Sequence, residues 1–324
     1  MKWLLIAVAV LLVIGISVGA TLIFTRDGSG GGTTTPTSGG ASDIASANDT
    51  GPVSIITEEP TCEKFVGVNN SLADVQDQGW GDLRSTLGAA STWTSDQRTQ
   101  FEAVAKATRN AADQVVPLAK QTPHRLMREL FEQFTWYGRA YADSIPNYVP
   151  SDNELASATV NASSALVGIC NAIAYGSAGR SIAVDPAAPP SSTSVLGDPA
   201  RPAPFISAPG QTCNSWEQIS TKFDTDTAEW QQRDTSIAAT QWTPEQRSIE
   251  SAARPVLSAF ATEMERIGRQ SLSAAFEDFA TAAALYLRAA VAAGDNYVTS
   301  DSWLSFVSFR LNLLIVNACN VSGR

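Results

Sequence analysis

The chain has 324 residues, of which 44% are hydrophobic and 17% are charged, and its formal net charge is −10 at pH 7. This length allows two domains with cores of their own, and the hydrophobic content excludes a chain that is disordered throughout. The acidic balance disfavours nucleic acid as a partner, because phosphate contacts need clustered Lys and Arg. The single histidine, His124, leaves little material for a zinc site or for histidine-based acid–base catalysis.

The N-terminal region contains an uncharged apolar run over residues 3–24. At 1.5 Å per residue the run reaches about 33 Å, which is enough to cross the hydrocarbon core of a membrane. It predicts an uncleaved transmembrane anchor over residues 1–26. The alternative is a signal peptide cleaved after Ala20, where small residues stand, but the run continues past that site. Because Lys2 precedes the run, we expect everything after Arg26 to lie outside the cytoplasmic membrane.

Two stretches of biased composition divide the rest of the chain. Residues 27–59 are rich in Gly, Ser and Thr, which predicts a flexible tether, and residues 177–211 contain seven prolines, which predicts an extended linker. The boundaries leave one helical segment at residues 60–176 and another at residues 212–324.

These two segments match each other at a constant offset of 149 residues. The matching motifs are Trp93-Thr-Ser-Asp-Gln-Arg98 with Trp242-Thr-Pro-Glu-Gln-Arg247, Tyr137-Gly-Arg139-Ala with Tyr286-Leu-Arg288-Ala, Asn147-Tyr-Val149 with Asn296-Tyr-Val298, and Cys170-Asn with Cys319-Asn. Cys62 and Cys213 are 151 residues apart, so a small indel lies in the first helix. The pattern indicates an internal duplication, repeat 1 and repeat 2.

Each repeat is predicted to form four helices, A to D, in an up-down-up-down bundle, so the fold class is all-α with two tandem four-helix bundles behind the membrane anchor. The helix starts are indicated by capping boxes at Thr94–Gln97, Ser151–Glu154, Ser215–Gln218 and Thr243–Gln246. Trp93 and Trp242, just before helix B, are expected to pack onto the bundle. Pro117 and Pro255 predict an end or a kink in helix B.

The four cysteines are predicted to form two disulfides. Their number is even, no Cys-x-x-Cys pair is present, and an exported chain favours disulfides over a metal site. An up-down-up-down bundle brings the start of helix A to the end of helix D, which predicts the pairs Cys62–Cys170 and Cys213–Cys319. Each pair closes a loop of about 107 residues, which is worth about 4–5 kcal/mol in the chain-entropy model.

No catalytic constellation stands out. His124 begins helix C of repeat 1, but the equivalent residue of repeat 2 is Ser273. Paired carboxylates on helix C are expected to lie on solvated helix faces: Glu129 with Glu132, and Glu277 with Asp278. The sequence has no glycine-rich phosphate loop and no calcium-loop motif. We therefore predict a protein that is not an enzyme and needs no metal or cofactor.

Residues kept identical in both repeats are the candidates for a contact surface. They cluster around the C–D connection and are Tyr137, Arg139, Asn147, Tyr148, Tyr286, Arg288, Asn296 and Tyr297. Aromatic and Arg side chains are favoured anchors of protein interfaces. The structural alternative is that Arg139 bonds carbonyls at the end of helix C and that Tyr148 packs over the end of the bundle.

Three motifs carry a resemblance to known proteins: Trp93-Thr-x-x-Gln-Arg98, Gln121-Thr-Pro-His-Arg125 and Arg139-Ala-Tyr-Ala-Asp-Ser-Ile-Pro146. With the Cys-bracketed repeat, they resemble conserved, functionally uncharacterised membrane-anchored proteins of mycobacteria and related actinobacteria. The resemblance covers most of residues 60–324 and implies no activity and no site residues. Repeat 2 lacks Thr-Pro-His-Arg, so a role for that motif would be confined to repeat 1.

These observations predict a non-catalytic, membrane-tethered extracytoplasmic protein that acts in protein–protein interaction or assembly in the cell envelope. Its partner would be an envelope or membrane protein. The alternative is a carrier or sensor of a lipid or other apolar ligand, bound in a cavity of a bundle. Repeat 1, with Phe131 and Phe134 on helix C, is the better candidate for such a cavity, because the alanines of the second helix C leave less room.

Overall fold

The computed structural model describes residues 43–180 and 184–323. The predicted anchor at residues 3–24 and the first part of the tether lie outside the described residues. Within them the chain forms ten α-helices and no β-strand, so the all-α prediction is confirmed. The helices are α1 Cys62–Gln76, α2 Trp80–Arg84, α3 Ser95–Gln121, α4 Arg125–Ser144, α5 Asn153–Ala174, α6 Gln211–Asp226, α7 Ala228–Gln231, α8 Pro244–Gln270, α9 Ala274–Ala293 and α10 Ser302–Ser322.

The starts of the long helices recur at the offset seen in the sequence: α3 with α8, α4 with α9, and α5 with α10 are each 149 residues apart. The two B helices begin as predicted. The Thr94 hydroxyl accepts from Gln97 N while the Gln97 side chain accepts from Thr94 N, and Thr243 and Gln246 do the same. Each box satisfies backbone N–H groups that the first turn leaves without a partner.

The other two capping boxes were wrong. Helix α6 begins at Gln211, directly after Gly210, so Ser215 lies inside the helix and the first turn contains the disulfide residue Cys213. Helix α5 begins at Asn153 after a 3₁₀ turn over Pro150–Asp152. There the Asp152 carboxylate accepts from the backbone N–H of Val149, so Asp152 takes the part predicted for Glu154.

Helix A is interrupted in both repeats, whereas the sequence predicted one helix. In repeat 1, α1 ends at Gln76, and Gly79 in the turn that follows has φ +94°, a left-handed conformation directly before α2. In repeat 2 the break falls at Thr227, between α6 and α7. By contrast, Pro117 and Pro255 lie inside α3 and α8, which continue past them. The loss of one backbone hydrogen bond at each proline is offset there by burial of neighbours such as Leu118 and Leu257.

Both predicted disulfides are confirmed. Cys62 is bonded to Cys170 and Cys213 to Cys319, and the Cα atoms of each pair are 5.5 Å apart. Each bond joins the start of helix A to the end of helix D of the same repeat.

The two repeats pack together through their D helices, α5 and α10. The Asn317 amide donates to Glu154 (2.9 Å), the Arg310 guanidinium to Asn161 (3.3 Å), and Phe306 lies against Gly168. Positions rise along α5 as they fall along α10, so the two helices run antiparallel. Asn161 and Arg310 are equivalent positions of the repeats, and their contact marks an approximate two-fold axis. One hydrophobic core therefore spans both repeats.

Two described segments, Pro150–Ala174 and Thr299–Ser322, are long and apolar enough to cross a membrane. They contain α5 and α10, and 67% and 56% of their apolar windows are buried inside the fold. Core helices of a folded domain have the same length and composition, so these segments are weak evidence of membrane association.

Candidate functional site

A group of charged side chains lies buried where helix C of repeat 1 (α4) meets helix C of repeat 2 (α9). We call it the charge cluster, and its members are the buried Arg125, Arg128, Glu129, Glu277 and Asp278 together with the partly exposed Glu132. The sequence predicted solvated helix faces for these carboxylates, and this was wrong. Glu129 and Asp278 are each 1% exposed. The reason is tertiary, because these faces are covered by the other repeat and by two segments that lie outside the α-helices.

Arg125 joins the two repeats within the cluster. Its Nε and Nη2 donate to the two carboxylate oxygens of Asp278 at 2.6 and 3.0 Å, a bidentate pair in which both side chains are buried. Removing either partner would leave an uncompensated buried charge.

Arg128 forms ion pairs with two carboxylates of its own helix. Its Nη1 donates to both oxygens of Glu132 at 3.1 and 3.2 Å, and its Nη2 lies 3.6 Å from Glu129 Oε1, beyond ordinary hydrogen-bond distance. Burial raises the pKa of Glu129 well above its ordinary value, and the negative charge of Asp278 adds to this. Ser194, Arg128 and Arg125 oppose the rise.

The segment before repeat 1, residues 43–60, lies against the charge cluster, and we call it the N-terminal segment. Arg125 donates from its backbone N to the Asp49 carboxylate (2.6 Å) and from its guanidinium to the carbonyls of Asp49 and Gly51. Arg128 Nε donates to Ser46 Oγ at 3.1 Å. Two charged side chains of α4 therefore hold three positions of this segment.

The second half of the N-terminal segment is held as well. Thr122 Oγ1 donates to the Glu59 carboxylate (2.6 Å), His124 Nε2 lies 2.9 Å from the Glu58 carbonyl, and the Ile56 N–H donates to the Tyr286 hydroxyl (3.1 Å) of repeat 2. The sequence predicted a flexible tether up to residue 59, and residues 43–59 differ from that prediction. Apolar side chains explain the difference, since Ile44, Val53 and Ile56 are buried.

These contacts give the Thr-Pro-His-Arg motif a structural role. Thr122, His124 and Arg125 each bind the N-terminal segment, and repeat 2 has no equivalent motif. Repeat 2 is instead preceded by the segment over residues 184–210, which we call the connecting segment. Its Ser191 donates from N and Oγ to the Glu277 carboxylate. Glu277 is equivalent to Arg128, so each position binds a serine of the segment that precedes its own repeat.

The connecting segment is not helical but is packed on the fold. The Gln133 side chain donates to the Ala203 carbonyl and accepts from Phe205 N, both at 3.1 Å. The Phe205 ring lies 5.0 Å from Phe279 and 6.5 Å from Tyr137, between the two C helices. The linker predicted from the prolines is therefore part of the interface between the repeats.

Three of the four tyrosines predicted for a contact surface are buried: Tyr137, Tyr148 and Tyr286. Buried side chains do not form an exposed surface, so the prediction needs correction at these positions. Arg139 pairs with Asp113 and donates to the Ala200 carbonyl, and Arg288 pairs with Glu265. Their guanidinium groups are thus engaged within the fold.

Exposed members of the predicted surface remain at the two C–D connections. Asn147 and Asn296 are exposed, together with the neighbouring Val149 and Val298, whose exposed fractions are 46% and 39%. Tyr297 is half-buried and donates to the Thr235 carbonyl at 2.7 Å. These equivalent loops present the same residue types in both repeats.

The two tryptophans before helix B pack as predicted. Trp93 lies 5.1 Å from Phe101 and 5.3 Å from Tyr148, and Trp242 stacks on Tyr297 at 5.7 Å.

The site has little room for a ligand. The two best-formed cavities within the described residues have volumes of about 20 and 50 Å³, room for one to a few water molecules, whereas drug-sized ligands occupy several hundred Å³. No group of His, Cys, Asp and Glu side chains in this part of the chain is arranged to hold a metal ion. Chemically, the charge cluster binds the chain's own segments.

Sequence reasoning missed the charge cluster, although two signals were present. Glu129 and Asp278 are separated by the repeat offset of 149, and the Thr-Pro-His-Arg motif is found in one repeat alone. The first signal places both carboxylates at equivalent positions, which a two-fold axis brings together. The second signal, a motif present in one repeat, indicates that this motif binds a segment that occurs once in the chain.

The comparisons with known proteins agree with the resemblance to mycobacterial proteins. A family model described as "Mycobacterial ESX-1 associated protein" matches residues 44–323. An uncharacterised protein of Mycolicibacterium smegmatis (strain MKD8) is 42% identical over 327 residues, which cover 99% of this chain and 86% of that protein. No solved structure matches the chain. The family match includes the N-terminal segment, both repeats and the connecting segment, and the chain therefore belongs to the family of mycobacterial ESX-1 associated proteins.

Proposed function

We propose that the protein is a non-catalytic, membrane-tethered extracytoplasmic component that binds or helps assemble parts of the ESX-1 secretion machinery in the mycobacterial envelope. The observation that carries this proposal is the family match over residues 44–323. It covers both repeats and the two segments from residue 44 onward, which supports a role of this fold in the association that the family description names.

The architecture supports a binding or assembly role. Two disulfides, an antiparallel D–D interface and two packed segments join both repeats in one folded unit. Such a unit presents surface loops in fixed positions, which lowers the entropy lost when a partner binds. We place the contact surface at the two C–D connections, where Asn147, Val149, Asn296 and Val298 are exposed.

The disulfides support the extracytoplasmic location in this proposal. Structural disulfides persist in oxidising compartments outside the cytosol, and both are present here. An anchor at residues 3–24 would hold the folded unit at the outer face of the cytoplasmic membrane.

The lipid-carrier alternative has no support in the described fold. The region around Phe131 and Phe134 of repeat 1 is filled by aromatic contacts, with Phe65 at 5.4 Å from Phe131. Neither of the two best-formed cavities approaches the size of a lipid chain.

Site-specific photo-crosslinking in a mycobacterial host tests the proposal. A photoreactive amino acid is placed at Asn147 or Asn296 of the full-length chain, and the crosslinked proteins are identified by mass spectrometry. We expect ESX-1 components at both positions. The matched control is the same amino acid at Val195, a residue of the connecting segment that is 93% exposed. Secretion of ESX-1 substrates is measured in parallel in a deletion strain complemented with the full chain.

Crosslinks to ESX-1 components at the C–D connections but not at Val195, with secretion that depends on the chain, support the proposal. Unimpaired secretion without the chain, together with no ESX-1 component captured at either position, overturns it.

A further inference from the structure

The charge cluster holds more acidic than basic groups. Its six members are four carboxylates and two guanidinium groups. Asp49 and Arg269 pair with members from outside the cluster, are partly exposed, and add one group of each sign. Extending the network through Glu265 to Arg288 adds one group of each sign and leaves the surplus unchanged. Burial of two uncompensated negative charges is costly, and a bound proton removes one of them.

Glu129 is the member placed to hold that proton. It is 1% exposed, the guanidinium of Arg128 stays 3.6 Å from its carboxylate, and Asp278 faces it from the equivalent position of repeat 2. The groups around it are Arg125 and Arg128 from its own helix, Asp278 from α9 and Ser194 from the connecting segment. The Arg125 guanidinium is already engaged with Asp278 and the carbonyls of Asp49 and Gly51.

We propose that the Glu129–Asp278 pair is a proton-operated latch, which keeps the N-terminal and connecting segments closed over the charge cluster while Glu129 is protonated and releases them when Glu129 ionises. The proposal is independent of the ESX-1 association, because it concerns contacts within this chain alone.

The release follows from competition for Arg128. In the closed state its guanidinium donates hydrogen bonds to the Glu132 carboxylate and to Ser46 Oγ. An ionised Glu129 would attract the same guanidinium away from Ser46, which loosens the N-terminal segment at its first contact. The new charge would also repel Asp278, the anchor of Arg125, which holds Asp49 and Gly51.

The direction with pH is determined by the sign of the pKa shift. Burial and Asp278 raise the pKa of Glu129 in the folded protein, so the closed state binds a proton that the open state, with Glu129 exposed to water, gives up. Closure is therefore favoured at low pH and lost as pH rises through the pKa of Glu129 in the closed state. Between the ordinary pKa of an exposed Glu and the raised pKa of Glu129 in the closed state, the closed-to-open ratio falls by up to about tenfold per pH unit.

Hydrogen exchange of the full-length chain in detergent micelles between about pH 5 and about pH 8 tests the latch. This window lies above the ordinary pKa of an exposed Glu, about 4.3, so an open state with Glu129 exposed to water loses the proton throughout it. Amides of residues 44–51 and 188–205 are followed as protection factors, corrected for the pH dependence of intrinsic exchange. The variants are Glu129→Gln, which mimics the protonated form, and the matched control Glu154→Gln, a carboxylate of the D–D interface outside the cluster.

We expect protection of both segments to fall as pH rises in the native chain and in E154Q, and to stay constant in E129Q. Protection that is independent of pH in the native chain overturns the proposal, and this outcome does not depend on any variant folding. The same pH dependence in E129Q as in the native chain also overturns it, because another group would then be responsible.

Discussion

Gly268 shows how closely the helices of one repeat approach each other. It lies in the last turn of α8, and a Cβ atom at this position would stand 2.6 Å from the Cβ atom of Ala280 on α9. Carbon atoms in contact are about 3.5–4.0 Å apart. The neighbouring atom is fixed to the backbone, so it cannot rotate away, and glycine at 268 is required by packing.

We therefore expect Gly268→Ala to lower the free energy of unfolding by about 1–3 kcal/mol, the cost of overpacking. The measurement is urea denaturation followed by circular dichroism. Gly67→Ala is the control, because Gly67 lies in α1 and a Cβ atom added there would meet no neighbouring element within 4 Å. That substitution should raise stability by about 0.5–1 kcal/mol through helix propensity. Equal effects of the two would contradict the packing argument.

Equivalent residues of the two repeats also show how one packing problem has two solutions. In repeat 1 the Trp80 indole donates to the Tyr141 hydroxyl at 2.8 Å. The residue equivalent to Tyr141 in repeat 2 is Ala290, and there the Trp230 indole donates to Glu250 while Arg233 lies 3.5 Å above its ring. The guanidinium stabilises the tryptophan by a cation–π contact and a salt bridge to Glu250.

At the scale of an element, the connecting segment behaves as part of the core although it contains no helix. Its seven-proline composition lowers the entropy of the unfolded segment, so less entropy is lost when the segment is ordered. Phe205 then fills the space between the two C helices, with Phe276 at 6.2 Å and Phe279 at 5.0 Å.

Phe205→Ala tests this role. We expect a loss of about 3–5 kcal/mol in the free energy of unfolding, as for other buried Phe residues, because the cavity left between α4 and α9 cannot collapse. Val195→Ala in the same segment should change stability by less than about 0.5 kcal/mol, since Val195 is 93% exposed. Chemical denaturation of both variants decides the point. If the two variants were equally stable, the segment would be a spacer, as the sequence predicted.

At the scale of the whole molecule, the repeats share one core through the D–D interface, the charge cluster and both segments. A sequence with a Pro-rich linker is also compatible with two units that unfold separately. The shared core instead predicts one cooperative transition. If one repeat unfolded alone, the apolar interface of the other would be exposed to water, which lowers the stability of the remaining repeat.

Phe131→Ala is the test at this scale. Phe131 is fully buried in repeat 1, and its removal should cost about 3–5 kcal/mol. We expect the urea midpoint to shift equally for peptides of both repeats when unfolding is followed by hydrogen-exchange mass spectrometry with the disulfides intact. A shift in repeat 1 alone, with repeat 2 unfolding at the native midpoint, would show that the repeats are independent.

The sequence by itself determined the features that depend on local chemistry and on chain topology. Thr94 with Gln97 and Thr243 with Gln246 began the B helices because a capping box involves residues three positions apart. The pairing of Cys62 with Cys170 followed from four helices that alternate in direction. The family relation is also determined by the sequence alone, since the family match covers residues 44–323.

Only the tertiary structure decided which polar faces are buried. Glu129 and Glu132 on one helix look like a solvated pair, because helical periodicity does not reveal what covers a charged face. The approximate two-fold axis placed Asp278 opposite Glu129, and Arg125 made the burial tolerable by pairing across the repeats. Burial of charge depends on partners more than a hundred residues away, and that information lies in the packing of helices, not in the spacing of residues along any one of them.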